Sequence, residues 1–437
     1  MLDLRNRSTS RKTRLWLATA ALAMVMGVGA LNTAPAEARE APGFDRGQNV
    51  SVQDRARPDY EPVGVQWGAV ALRPRLGVSV AVEDNVFFTQ TNERDDVVTT
   101  LNAEVQASTT WSRNAARLTV GLTDKRYTDF DSENRTDEYV NGEVRLDVFG
   151  ESAIAIGGSH ANLGEARFSP DTPGTAAKPG DYDVTEGYVL GTATFARTRL
   201  SARVSQRSFS YKPVALIGGG FEDAPDRDRD ETALTLKAEY AVSPRTAAFV
   251  EAAIENRDYK RRPPQTAVNR DNDVTRVLVG VNFDIASLAR GEIAIGQLDQ
   301  SFDQAGLSGA SGLAVSAKAE WFPQALTTVT VNAARRVEET NIGPAASFTL
   351  TEAGARIDHE LLQNVILSAQ ASAGQRDFEG LARKDDLAFA GVSARYLVNR
   401  TVELGAGWFL DRQESKGAAR DRDYDANRIV LSVTLRR

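Results

Sequence analysis

Residues 101–123 read LNAEVQASTTWSRNAARLTVGLT. Leu101, Ala103, Val105 and Ala107 alternate with Asn102, Glu104, Gln106 and Ser108. After a polar break at 112–115, Leu118, Val120 and Leu122 alternate with Arg117, Thr119, Gly121 and Thr123. A period of two sends successive side chains to opposite faces of a strand, so each run has one apolar and one polar face. Two such runs joined by a tight polar turn predict an antiparallel hairpin.

The unit recurs to the C-terminus. Leu76, Val78, Val80 and Val82 form a row before it, and Val140, Val144, Leu146 and Val148 one after it. Comparable rows lie at 154–156, 184–195, 200–204, 234–240, 248–254, 277–285, 293–295, 313–321 and 327–333. The last are at 353–357, 365–371, 387–397, 402–408 and 429–435, for about 18 strands in all. Their connections alternate in length. Short turns fall near Arg113, Gly150, Thr198, Pro244, Ser287, Pro323, Gln363 and Asn399. Longer polar loops fall near Thr91 and Asp131, and at 170–181, 213–229, 261–271, 304–311, 341–346, 380–384 and 414–424. Outer-membrane barrels sort their loops this way, with short turns in the periplasm and long loops outside. The pattern predicts an all-β, up-and-down antiparallel transmembrane barrel over residues 74–437.

Composition agrees once that reading is made. The 437 residues are 25% charged and the mean hydropathy is −0.34, which taken alone suggests a soluble chain. Barrel strands show lipid only every second residue, so their average hydropathy stays low. A net charge of −7 argues against a nucleic-acid partner, whose binding draws on basic surface. With no cysteine and only His160 and His359, thiolate metal sites are excluded and little remains for zinc or a histidine-based enzyme.

Residues 1–38 read as a cleaved secretory signal. Arg5, Arg7, Arg11, Lys12 and Arg14 precede an apolar run at 15–31, and Ala36-Glu37-Ala38 supplies a small-x-small cleavage site. An uncleaved anchor is the alternative. Residues 39–73 are polar, with Pro58 and Pro62, and read as a periplasmic segment leading to the first strand, or else as a small plug.

A closed sheet of this size encloses a lumen too wide for side chains to fill, so its polar rows line water. The expected lumen-lining charges are Glu104, Arg117, Glu143, Arg145, Lys237, Glu239, Arg276, Asp284, Lys318 and Glu320. They either contact a polar solute or pair across strands. No catalytic constellation is evident. Ser159 and His160 are neighbours on a strand and point to opposite faces, which is poor geometry for a dyad. No cofactor is expected. Asp421, Asp423 and Asp425 could present oxygens to calcium, as could Asp223, Asp226, Asp228 and Asp230, but an EF-hand loop wants Gly where Ala426 stands. The plainer reading pairs these acids with Arg227, Arg229, Arg420 and Arg422.

Three stretches resemble the putative beta-barrel porin 2 family. They are Pro62-Val63-Gly64-Val65-Gln66-Trp67-Gly68, then Leu72-Arg73-Pro74-Arg75-Leu76, then Glu83-Asp84-Asn85-Val86-Phe87. The C-terminal Asn427-Arg428-Ile429-Val430-Leu431-Ser432-Val433-Thr434-Leu435 is similar to the family's closing strand. The resemblance spans residues 62–437 and implies an outer-membrane barrel, with many relatives linked to surface polysaccharide export. It also implies a periplasmic export protein as partner. Signals read by the barrel assembly machinery usually end on an aromatic residue, whereas here Leu435 is followed by Arg436-Arg437. The expected function is a non-enzymatic conduit for exported polysaccharide, set in outer-membrane lipid and lipopolysaccharide. A diffusion porin for small polar solutes is the alternative; it would favour an inward-folded constriction loop, for which no single loop is obviously long enough, though 170–181 and 213–229 are candidates. A structural or adhesive barrel with a closed lumen is the third reading.

Overall fold

In a computed structural model of the protein, residues 44, 47, 49–222, 224–263, 265–266 and 268–437 are described. The signal-peptide reading lies outside them. Alternation of apolar and polar residues builds eighteen long strands, each of 13 to 16 residues. In chain order they begin β1 (Val70–Glu83), β2 (Asp96–Thr109), β3 (Ala115–Tyr127), β4 (Arg135–Phe149), β5 (Ser152–Gly164) and β6 (Asp181–Phe195). There follow β7 (Thr198–Tyr211), β8 (Arg229–Ser243), β9 (Thr246–Tyr259), β10 (Asn272–Ile285), β11 (Ala289–Phe302) and β12 (Ser311–Gln324). The wall ends with β13 (Thr327–Glu339), β14 (Ser347–Leu362), β15 (Val365–Phe378), β16 (Lys384–Leu397), β17 (Val402–Lys416) and β18 (Tyr424–Arg436).

Each strand pairs antiparallel with its sequence neighbours, and β1 closes the sheet on β18 through registers from Arg75↔Arg436 to Glu83↔Arg428. Closure gives every long strand a partner on both sides through the membrane wall, which a bilayer demands because it offers unpaired amides no water. A short strand, Val65–Trp67, continues the sheet beside the start of β1, and the barrel itself starts at Val70.

Side chains sort by parity. Val144, Ile156, Val204, Val250, Val279 and Ile295 are among the exposed outward residues and form an apolar belt. Phe195, Tyr240, Trp321 and Tyr396 face outward at the short-turn ends of their strands. Such an aromatic girdle marks a membrane interface. Fourteen residues span about 46 Å, which with a tilt near 40° stands about 35 Å high, enough to cross the hydrocarbon. Eight connections are short, as between Phe149 and Ser152, and nine are long, the longest being residues 165–180 and 212–228. By the rule for outer-membrane barrels the short turns face the periplasm.

Some inward glycines serve aromatic rings. Gly121 lies beneath the Tyr139 ring, where an added Cβ would approach Cζ to 2.4 Å, and Gly157 lies likewise beneath Tyr188. A ring laid over a strand glycine recovers packing that the missing side chain forfeits.

The candidate lumen and its constrictions

The inward rows carry charge, and most of it is paired. Glu104 accepts a hydrogen bond from the Tyr139 hydroxyl at 2.6 Å, and Glu143 accepts one from Tyr188. Arg117 stands opposite Glu143 in register. Arg145 meets Asp147 at 2.9 Å, Lys237 meets Glu292 at 2.7 Å, and Arg276 meets Glu251 at 3.1 Å. Glu320 pairs with Arg290. Lys318 is exposed on the inner wall opposite Glu292 in register, and Glu239 is buried. Asp284 is different. It is only 2% exposed and accepts hydrogen bonds from the Gly47 amide and the Asn49 carboxamide, so a segment of chain covers it.

That segment is the N-terminal stretch. The carbonyl of Ile285 accepts a second bond from Asn49 at 2.8 Å, and the Val52 amide donates to the Thr328 hydroxyl at 2.9 Å. Gln53 donates to Asp358 at 2.8 Å, and Arg55 and Arg57 converge on Glu360 at 3.0 and 2.7 Å. Arg400 and Arg436 donate to the carbonyls of Pro58 and Tyr60. All these partners lie at the short-turn ends of β10 to β18. Residues 49–60 therefore follow the inner wall of the periplasmic mouth.

The outer mouth is crossed by residues 165–180, the loop after β5. Arg167 reaches Glu133 in a buried ion pair and donates to the carbonyl of Ala176 at 2.8 Å, while Arg422 donates to the carbonyl of Arg167. Phe168 meets Phe88 edge-on at 5.0 Å, Phe88 meets Tyr424 at 5.1 Å, and Phe87 meets Phe130 at 4.9 Å. Asp171 extends nearly halfway round the wall, accepting bonds from the Thr340 hydroxyl at 2.6 Å and the Asn341 amide at 3.1 Å. Thr340 comes to meet it because the β13–β14 hairpin leaves β12 above Arg335 and leans inward. Glu339 there bonds to Arg257 and to the Tyr259 hydroxyl, and accepts from Gln300 at 2.9 Å.

A cavity of about 610 Å³ lies below this bridge, lined by arginines that include Arg203, Arg207, Arg257 and Arg336 and by carboxylates that include Glu186, Glu231, Glu255 and Glu338. Arg227 holds the bridge from the next loop, meeting Glu165 at 2.6 Å and Asp171 at 3.4 Å and lying 3.9 Å over the Tyr211 ring. Burial alone would disfavour its charge, but Glu165, Tyr211 and Asp171 outweigh that and raise its pKa.

The calcium candidates separate. Asp421 pairs with Arg383 at 3.1 Å and Asp425 with Arg412 at 3.5 Å, while Asp423 accepts from the Ser415 amide at 2.8 Å. Asp226 pairs with Arg261 and Asp230 with Lys260, Asp228 caps the Tyr211 amide, and Asp223 lies outside the described residues. Among the described residues no group of three or more His, Cys, Asp or Glu side chains could hold a metal. His160 and His359 each contact a threonine, Thr185 and Thr327, on different strands.

A closed, lipid-belted barrel with a charged interior defines an outer-membrane, porin-like channel. The chain belongs to the putative beta-barrel porin 2 family, whose model matches residues 57–437. No curated protein matches it. Among solved structures it is similar to the outer membrane protein OpdK of Pseudomonas aeruginosa, at 13% identity and a TM-score of 0.46, covering 84% of this chain and 99% of that one. A BenF-like porin of Pseudomonas fluorescens Pf-5 gives 11% identity and a TM-score of 0.45, with 84% and 99% covered. The copper transporter OprC gives 11% and 0.46, with 87% and 82% covered.

Proposed function

We propose that this barrel is a passive channel for small polar solutes, narrowed at its outer mouth by residues 165–180. The observation that carries the reading is the Asp171–Thr340 bond, which ties that loop to the far hairpin above a charged cavity. A wall of paired arginines and carboxylates suits water and dipolar solutes, since neither sign of charge is left in large excess. Export of a surface polysaccharide, with a periplasmic partner, is what the family resemblance implied. A polymer would have to thread past the same bridge, so the bridge weighs toward small solutes. The reading takes residues 1–38 as a cleaved signal, the barrel assembly machinery as the inserter, and outer-membrane lipid with lipopolysaccharide as the surroundings. It calls for no catalytic group or cofactor.

Swelling of liposomes carrying the refolded protein tests it. Entry of neutral sugars and amino acids should fall steeply with solute size, and removal of residues 168–178 should raise the size limit. Impermeable liposomes, or a size limit untouched by the deletion, would contradict it.

A further inference from the structure

We infer that residues 49–61, with Phe44 and Gly47, form a strap that sets the bore, and so the conductance, of the periplasmic mouth; the inference rests on the channel reading above. The strap's contacts progress round the inside of the wall, with Gln53 also reaching Arg395 of β16 and Asp54 turning back to Arg290 of β11. Phe44 is fully buried against Ala241 and Ala247 of β8 and β9, with the Arg199 guanidinium 4.1 Å from its ring centroid. Asn49 then reaches β10, Val52 reaches β13, and Gln53, Arg55 and Arg57 reach β14. Tyr60 ends the path at β18 through Arg436. Inward residues of β8, β9, β10, β11, β13, β14, β15, β16 and β18 meet it. A chain laid face-on against a sheet takes up about 10 Å, so the strap removes a large part of the opening.

How the strap is held argues that it can leave. Its apolar contacts, among the described residues, are those of Phe44 and of Val52 with Tyr60 against Ile366 and Leu397. The remaining contacts are hydrogen bonds and ion pairs, several of them between groups that the strap itself covers, among them Asn49, Asp284, Arg57 and Glu360. When the strap lifts, lumen water reaches both partners of each, so the bonds are exchanged and not left unmade. The strongest single hold is Glu360, where two strap arginines share one carboxylate that is 5% exposed. Arg55 and Arg57 are thus the clamp, and the bore depends on them.

The test is single-channel conductance of the refolded chain in planar bilayers. It compares the parent with R55Q/R57Q and with a variant lacking residues 44–61. Both variants should conduct about twofold more than the parent, because pore diameter governs flow. Conductances equal to the parent's in both would overturn the strap while leaving the channel reading intact. Silence from the parent with conduction from the deletion variant would support the strap as a full closure. Silence from all three would overturn the channel reading and the strap together. If the deletion variant does not fold, V52C supplies a second readout, since the chain has no other cysteine. Its thiol should resist a bulk maleimide in the parent background and react at least tenfold faster beside R55Q/R57Q. Equal rates would overturn the clamp.

Discussion

Asp171 accepts a hydrogen bond from the Thr340 hydroxyl at 2.6 Å, joining the loop after β5 to a hairpin nearly halfway round the barrel. The bond is the keystone of the outer mouth. Replacing Thr340 with Val removes the donor and leaves the Asp171 carboxylate with fewer partners in a buried position, a change that typically costs about 1–3 kcal/mol. The effect should fall on the loop and not on the wall. Hydrogen exchange is expected to quicken over residues 165–180 and to stay unchanged over β5 and β6.

Arg227 should matter more. It is the buried cation between Glu165 and Asp171, and breaking a buried pair by removing one partner costs about 3–5 kcal/mol. An Arg227→Gln variant is expected to release the loop, seen as new protease cleavage within residues 165–180 while the barrel keeps its heat-resistant mobility on gels. Loss of the folded barrel itself would mean that the loop braces the wall.

The inside-outside assignment makes a paired prediction. Val144 and Val279 face lipid at mid-wall, where Arg costs about 2–4 kcal/mol. The same replacement at Asn102 or Ser316, on the inward rows, should be nearly silent. Denaturant unfolding in lipid would separate the two classes, and equal effects would reverse the assignment.

Gly121 offers a test of the inner wall. A Val there collides with the Tyr139 ring and displaces its hydroxyl from Glu104, an overpacking expected to cost about 1–3 kcal/mol. Pairing Gly121→Val with Tyr139→Ala should recover most of that loss in the same unfolding assay.

The wall was legible because a strand writes its surroundings into alternate residues. Leu101, Val105, Leu118 and Val120 announce lipid, and Glu104 and Arg117 announce water, without reference to any distant residue. Loop lengths were legible for the same reason, being local. The strap and the bridge were not. Asp284 reads as a lumen charge in its own strand, and only contact with Asn49, far away in the chain, puts it under cover. Arg167 and Asp171 sit in a polar loop like any other, and their partners Glu133 and Thr340 carry no local mark of the pairing. The sequence pointed to strap and bridge only weakly: 170–181 and 213–229 stood as candidates for an inward fold though no single loop was obviously long enough, and residues 39–73 could be read as a small plug.

The central claim is that a solute path runs through this barrel, and conductance across a planar bilayer tests it most directly. The account predicts discrete open steps from the refolded protein that grow when residues 168–178 are removed. A correctly folded barrel that gives no steps, with or without that loop, would contradict it and favour a wall whose loops, and not its lumen, do the work.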